Sequence, residues 1–333
     1  MKEALKLVLG GTGKTGRRVA QGLQARGLGV RIGSRAAVPG FDWDDARTWP
    51  AALEGVDAVY IAYHPDLAAP GAPAAIQAFT DLAVRSGVTR LVLLSGRGEP
   101  EAQRCEDIVR HSGVDWTLIR ASWFCQNFSE GYLLDPIRTG VVALPVGAVG
   151  EPFVDAADIA EIAVAALAED GHAGQLYEVT GPRLWTFADA IAEIARATGR
   201  RIDFVEVPME DYIAALQQEP LPPGFADLIR YLFTEVLDGR NASVADGVQR
   251  ALRRPARGFS DYVRETAASG VWSDFGSGLP TPAFALQVVA DAVVVDPSGG
   301  VDVDVEQPPV VDVKVAPGPH GAVERGHARA FER

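Results

Sequence analysis

Gly10-Gly11-Thr12-Gly13-Lys14-Thr15-Gly16 lies between an apolar run, Leu5–Leu9, and a segment of helical spacing, Arg17–Arg26. A strand, a glycine turn and a helix start, in that order, make an anion site. Glycine lets the backbone approach an anion with no Cβ in the way, and a helix N-terminus offers unpaired N–H groups at the positive end of its dipole. Gly13-Lys14-Thr15 also ends like the phosphate loop of ATPases, but G-x-x-x-x-G-K-[ST] requires glycine at position 8, where Val8 stands. The glycines read instead as Gly11-x-Gly13-x-x-Gly16, preceded by Gly10, which is the dinucleotide spacing. An ordinary glycine-rich turn is the structural alternative.

The chain has 333 residues, 47% of them hydrophobic, so it can bury a full core, and its length suits one large domain with a smaller one attached. A net charge of −13 and a pI near 4.9 repel phosphate backbones, which speaks against nucleic acid as a partner but leaves room for a local basic pocket holding one dinucleotide. Met1-Lys2-Glu3 leads straight into the first strand without an apolar signal region, and no later stretch gives about 18 uninterrupted apolar residues. The expectation is a cytoplasmic protein with no membrane partner. Cys105 and Cys125 lack Cys-x-x-Cys or Cys/His spacing, so they read as structural thiols, with no metal expected. Lys2, Lys6, Lys14 and Lys314 are the whole lysine complement, a scarcity that bears on the chemistry below.

After the first helix, Val30–Arg35 reads as a second strand ending about 20 residues past the turn, where NAD-binding folds carry an acid for the ribose 2′-hydroxyl. Ser34 and Arg35 stand there instead. An arginine at this point accepts a 2′-phosphate, with Lys14 near enough in the pattern to assist, so NADPH is expected over NADH. A plain surface arginine is the alternative. Ala58–Ala62, Leu91–Leu94 and Trp116–Arg120 read as further strands, and Thr48–Leu53, Pro73–Ser86 and Pro100–His111 as helices between them. Strands alternating with helices predict an α/β fold, a Rossmann-type doubly wound parallel sheet with helices on both faces.

Beyond Ala121 the pattern loosens. Trp123–Phe128 is an aromatic loop, Val141–Leu144 and Pro152–Val154 are short extended pieces, Asp155–Leu167 is a helix, and Tyr177–Val179 returns to the sheet edge. Residues 1–181 are expected to form the nucleotide-binding domain and 182–272 a smaller, mostly helical lobe over the substrate. Its helices are Phe187–Thr198, capped by Thr186 with Asp189 in the reciprocal position, Glu210–Gln217, Phe225–Leu237 and Phe259–Ala268. From Ser273 the sequence is rich in Val, Asp, Pro and Gly. The alternation in Val301–Val305 would suit a half-buried strand, but Pro308-Pro309 and Pro317-Gly318-Pro319 interrupt it, so 273–333 reads as a low-complexity tail, disordered or loosely attached.

Several of these stretches taken together resemble a known family. They are the 10–16 turn, Trp116-Thr117-Leu118-Ile119-Arg120, Trp123-Phe124-x-x-Asn127-Phe128, Pro152-Phe153-Val154-x-x-x-Asp158-Ile159-Ala160 and Thr180-Gly181-Pro182. The set is similar to the NmrA-like atypical short-chain dehydrogenase/reductases, and within them to the agroclavine and festuclavine dehydrogenase branch. The similarity runs from residue 5 to about 272. Ala121 stands where that family commonly has proline, and Cys125 where methionine is frequent. The resemblance implies nucleotide binding and a small lobe closing over a substrate.

In an open parallel sheet, ligands bind at the carboxyl ends of the strands. Tyr63, His64, Ser95 and Gly96 are therefore expected beside the cofactor, together with Gly10, Gly11, Thr12, Gly13, Lys14, Thr15, Gly16, Ser34 and Arg35. Trp123, Phe124, Asn127 and Phe153 are expected to wall the substrate pocket. Structural alternatives are His64 capping its strand, Ser95 satisfying backbone groups, and Trp123 and Phe124 packing as core.

Classical short-chain reductases protonate the developing alkoxide with a tyrosine whose pKa is lowered by a lysine four residues on. No tyrosine here has lysine at that offset. A missing general acid costs roughly two to four powers of ten where a proton must be delivered, so acceptors that need none are favoured. An iminium ion fits, because hydride addition discharges a cation. A quinone also fits, because solvent can protonate its weakly basic oxygens. No catalytic side chain is assigned on this reading. The expected activity is an NADPH-dependent reduction of an iminium or quinone-like small molecule, as in secondary metabolism. A non-catalytic NADP(H)-binding redox sensor is the alternative, and the oligomeric state is left open.

Overall fold

The computed structural model describes residues 5–218 and 224–273, which fall within one compact unit. The expectations for the tail beyond Ser273 lie outside the described residues. The first half alternates as its sequence pattern requires: β1 (Leu5–Leu9), α1 (Gly16–Ala25), β2 (Gly29–Gly33), α2 (Trp49–Leu53), β3 (Val56–Ile61), α3 (Ala72–Arg85), β4 (Arg90–Gly96), α4 (Pro100–Arg110) and β5 (Asp115–Ala121). There follow α5 (Leu134–Thr139), β6 (Val141–Leu144), α6 (Ala156–Ala168), β7 (Gln175–Val179), α7 (Phe187–Thr198) and β8 (Asp203–Glu206). The remaining helices are α8 (Met209–Leu216), α9 (Phe225–Tyr231), α10 (Gly247–Leu252) and α11 (Phe259–Ala268).

Six strands form one parallel sheet in the order β2-β1-β3-β4-β5-β7. The chain runs outward from β1 in both directions, so the switch point lies between β1 and β3. Side chains alternate across the pleat, which explains why these strands are apolar on both faces. Leu7, Leu9, Val59, Ile61, Leu91, Leu93 and Leu118 pack on one side with Ile76, Phe79 and Val109 of α3 and α4. Val8, Ala58, Tyr60, Val92 and Ile119 pack on the other with Val19 and Leu23 of α1 and Ile159 and Ala163 of α6.

The smaller lobe has its own core, built from Phe128, Phe153, Phe187, Phe259, Tyr262 and Trp272. Strand β6 pairs in parallel with β8, Val142 opposite Phe204, so the lobe takes one strand from before β7 and one from after it. Thr186 caps α7 as its sequence suggests, accepting from Asp189 N at 3.0 Å and donating to Asp189 Oδ2 at 2.8 Å. Phe225–Leu237 reads from sequence as one helix, but α9 ends at Tyr231. Residues Leu232–Val236 form a wider π turn, closed by Leu237 N donating to Leu232 O, five residues back, at 3.1 Å. Asp158, fully buried, joins α6 to the 254–257 segment: Arg254 Nη2 lies 2.7 Å from its Oδ1, Arg257 N donates to its Oδ2 at 2.8 Å, and the Arg257 guanidinium pairs with it as well. Among the described residues no helix is long and apolar enough to cross a membrane.

Candidate active site

The turn after β1 is shaped by its glycines. Gly10 has φ +63, a left-handed conformation, and Gly13 N donates to Gly10 O at 2.8 Å. A Cβ on Gly16 would lie 2.1 Å from Gly10 O, so only glycine lets α1 start this close to the turn. Thr15 stands at the N-cap without capping the helix. Its Oγ1 accepts instead from Tyr60 Oη at 3.0 Å, which pins the helix start to β3. No acidic residue occupies the first turn of α1, so its positive end is not neutralised from within the helix. This cradle fits a dinucleotide pyrophosphate.

A cavity of about 560 Å³ opens beside it, at the carboxyl ends of β1, β3, β4 and β5. Of the residues expected from sequence, Gly10, Thr12, Gly13, Lys14, Thr15, Tyr63, His64, Ser95, Gly96, Trp123, Phe124 and Asn127 line it. Gly11 and Gly16 are not among its lining: a Cβ on Gly11 would lie 2.8 Å from Ile32 Cγ2, and Gly16 is closed in by Gly10. Ser34 and Arg35 are outside it, just past the end of β2, where Gly11 N reaches Gly33 O at 3.5 Å. Arg35 is exposed and has no ion pair or hydrogen bond among the described residues.

The expectation that Phe153 walls the pocket is corrected. It is 1% exposed and packs edge-on to Phe128 and Phe187 at 5.1 Å each, inside the lobe core. Trp123 takes the wall position, with Phe233 of the π turn at 5.4 Å behind it. The Ser95 hydroxyl is committed away from any ligand, donating to Glu106 Oε1 at 2.7 Å. Arg120 holds the same carboxylate through both oxygens, Nε to Oε1 at 2.9 Å and Nη2 to Oε2 at 2.5 Å, so the arginine of the Trp116–Arg120 stretch is a positioning group. Tyr63 lies against Trp43, ring centres 4.9 Å apart.

The cavity also contains acids that no sequence motif marks: Asp66, Glu99, Glu130 and Glu151. Glu130 pairs with Arg18 at 2.6 Å and with Arg17, which keeps its carboxyl below the ordinary range although burial opposes this. Burial lowers the Lys14 pKa, against the pull of Glu130. Glu151 accepts from Trp123 N at 3.2 Å, and burial pushes its carboxyl up to about 7. Burial, then Asp66, then Glu106 push Glu99 up to about 9. Arg97, the cation of this loop, is already engaged, donating to Asn241 O at 3.0 Å and Ser243 O at 2.9 Å. The two cysteines are buried, and burial raises both thiols, Cys105 to about 12, which suits structural residues.

An NAD(P)H-binding family model matches residues 10–170. The NAD(P)H azoreductase of Xenophilus azovorans is 31% identical over 79% of this chain and 98% of its own length. The agroclavine dehydrogenase of Claviceps fusiformis is 29% identical over 80% of this chain and 98% of its own. Among solved structures, the Escherichia coli NADPH-dependent quinone oxidoreductase in complex with NADPH superposes with a TM-score of 0.65 over 78% of this chain and 99% of its own, at 21% identity, a likeness of fold. With residues 10–170 matched to an NAD(P)H-binding model and relatives aligned along nearly their whole length, the chain belongs to the NmrA-like atypical short-chain dehydrogenase/reductases and is an NAD(P)H-dependent oxidoreductase.

Proposed function

We propose that the enzyme uses NADPH to reduce an iminium or quinone-like small molecule, in secondary metabolism. The carrying observation is that a single cavity runs from the glycine turn to the aromatic pair Trp123 and Phe124. Gly10, Thr12, Gly13 and Thr15 cradle the pyrophosphate. Arg35, with Ser34 and Lys14, meets the 2′-phosphate, an arrangement supported by the missing acid after β2 and by the free Arg35 guanidinium. When bound, the cofactor supplies a hydride. The protein's part is to hold the acceptor about 3–3.5 Å from it and to keep water out, which is the work of Trp123, Phe124 and Asn127. NADPH oxidation measured against a panel of iminium ions and quinones tests this. Turnover of at least one class, weakened by Trp123→Ala, is the expected result, and no turnover across the panel would sink the reading.

A further inference from the structure

We propose that Asp66 and Glu99 form a carboxyl pair that holds one proton in the cavity wall and delivers it to the molecule being reduced. Asp66 comes from the loop after β3, and Glu99 from the loop after β4. They lie 33 positions apart in the chain, and the fold brings both into the lining of one cavity. Asp66 is oriented by Ala68 N, which donates to its Oδ1 at 2.8 Å. Glu99 is 7% exposed and sits over Gly96, where a Cβ would fall 2.0 Å from Glu99 Oε1. The absence of a side chain at Gly96 thus makes the seat for this carboxyl.

The surroundings decide the charge state. Facing the pair are Cys105 and Glu106 from α4, the latter paired with Arg120, and Tyr231 from α9; of the nearby cations, Arg97 in the same loop is turned to Asn241 and Ser243, and Arg240, which donates to Gly98 O at 3.3 Å, is paired with Asp238 and Glu235. Neither carboxyl has an ion-pair partner among the described residues. Glu99 Oε2 and the Tyr231 hydroxyl are buried with no hydrogen-bond partner. The two carboxyls are near enough for the charge of Asp66 to raise Glu99, and a bond between them needs one protonated member, because carboxylate oxygens are acceptors alone. Two adjacent carboxylates with no cation cannot both ionise cheaply, so one keeps its proton. Burial raises both groups, Glu99 to about 9, so the pair carries that proton at neutral pH.

This inference rests on the reductase reading and extends it to neutral acceptors that need a proton. Hydride addition to a neutral N=N or C=O bond breaks the π bond and leaves an electron pair on the second atom. The Glu99 O–H bond breaks, its electrons stay on the carboxylate, and the proton goes to that second atom. Solvent then reprotonates the pair. An iminium acceptor needs no such step, so the pair separates the two kinds of acceptor.

The experiment uses the full chain as wild type, Glu99→Gln and Asp66→Asn, with two readouts. Infrared difference spectra of the wild type against Glu99→Gln at pH 8, where Glu151 is mostly ionised, should show a protonated-carboxyl band belonging to the wild type. Steady-state kinetics at saturating NADPH then compare azobenzene with an N-methyldihydroisoquinolinium cation. Glu99→Gln should lower kcat for azobenzene by about 100-fold or more with little change in KM, while iminium reduction stays within about threefold. The wild-type kcat for azobenzene should fall as the pH passes about 9, and this limb should vanish in Glu99→Gln. Equal losses on both acceptors, an undiminished azobenzene rate, or no infrared band would overturn the proposal. If neither these acceptors nor any member of the iminium and quinone panel is turned over, the reductase reading fails, and the infrared difference band alone upholds or overturns the shared proton.

Discussion

Arg31 and Arg35 are four positions apart, yet only one is free to meet a ligand. Arg31 Nη1 is spent on the carbonyls of Ala52 at 2.8 Å and Glu54 at 2.6 Å, whereas Arg35 stands exposed past the strand end. One charge-assisted contact to a 2′-phosphate is worth about 1.5–3 kcal/mol, or roughly 10- to 100-fold in affinity. Arg35→Ala should weaken NADPH binding by that factor and leave NADH binding unchanged, as read by fluorescence titration. Equal affinities of the wild type for the two cofactors would refute it. At this scale the sequence is uneven as a guide. Glycines at fixed spacing announce themselves, because each answers a local backbone demand. Ser95 and Phe153 do not, since one hydroxyl is drawn to Glu106 and one ring into the lobe by contacts from distant segments. Asp66 and Glu99 were illegible for the same reason: each is an ordinary loop acid until the sheet sets the two loops side by side.

Among the elements, the glycine turn and α1 behave as one piece. Gly16→Ala would drive a Cβ to within 2.1 Å of Gly10 O, a backbone atom that cannot swing aside as a side chain would. Overpacking of this kind costs about 1–3 kcal/mol, and here the displaced atoms are the anion cradle itself. A lowered melting temperature together with at least about tenfold weaker NADPH binding is expected, checked by thermal denaturation and by titration. Unchanged values in both would mean that the turn relaxes freely. The parallel strands were readable in advance because both their faces are buried, which leaves continuous apolar runs. The π turn after α9 was not. A bond to the fifth residue back has no pattern of its own, and Leu232–Val236 follows on with the same helical spacing.

At the scale of the whole molecule, the described chain is fastened near its end. Trp272 is 1% exposed, its Nε1 donates to Phe128 O at 2.8 Å, and its carbonyl accepts from Arg200 Nη1 at 2.6 Å. A chain ending at Ser273 should keep its melting temperature and cofactor affinity. Trp272→Ala should lose about 3–5 kcal/mol, the usual cost of emptying a large aromatic site. Urea unfolding of the two variants checks both statements, and a large loss in the shortened chain would show that the tail contributes to the body. From sequence, the family pattern reads as stopping at Trp272, where the composition changes.

The pairing of β6 with β8 has a consequence for exchanging parts between relatives. Between these two strands the chain goes back to complete the large sheet with β7, so the lobe is threaded through the body. A recombination with one crossover between them, such as a cut at residue 181, would join one parent's β6 to the other parent's β8. To transplant the lobe intact, a chimaera needs separate junctions around 141–144 and after 181, with β7 left in the recipient. The lobe is then inherited as a matched set of distant segments, not as a detachable cassette.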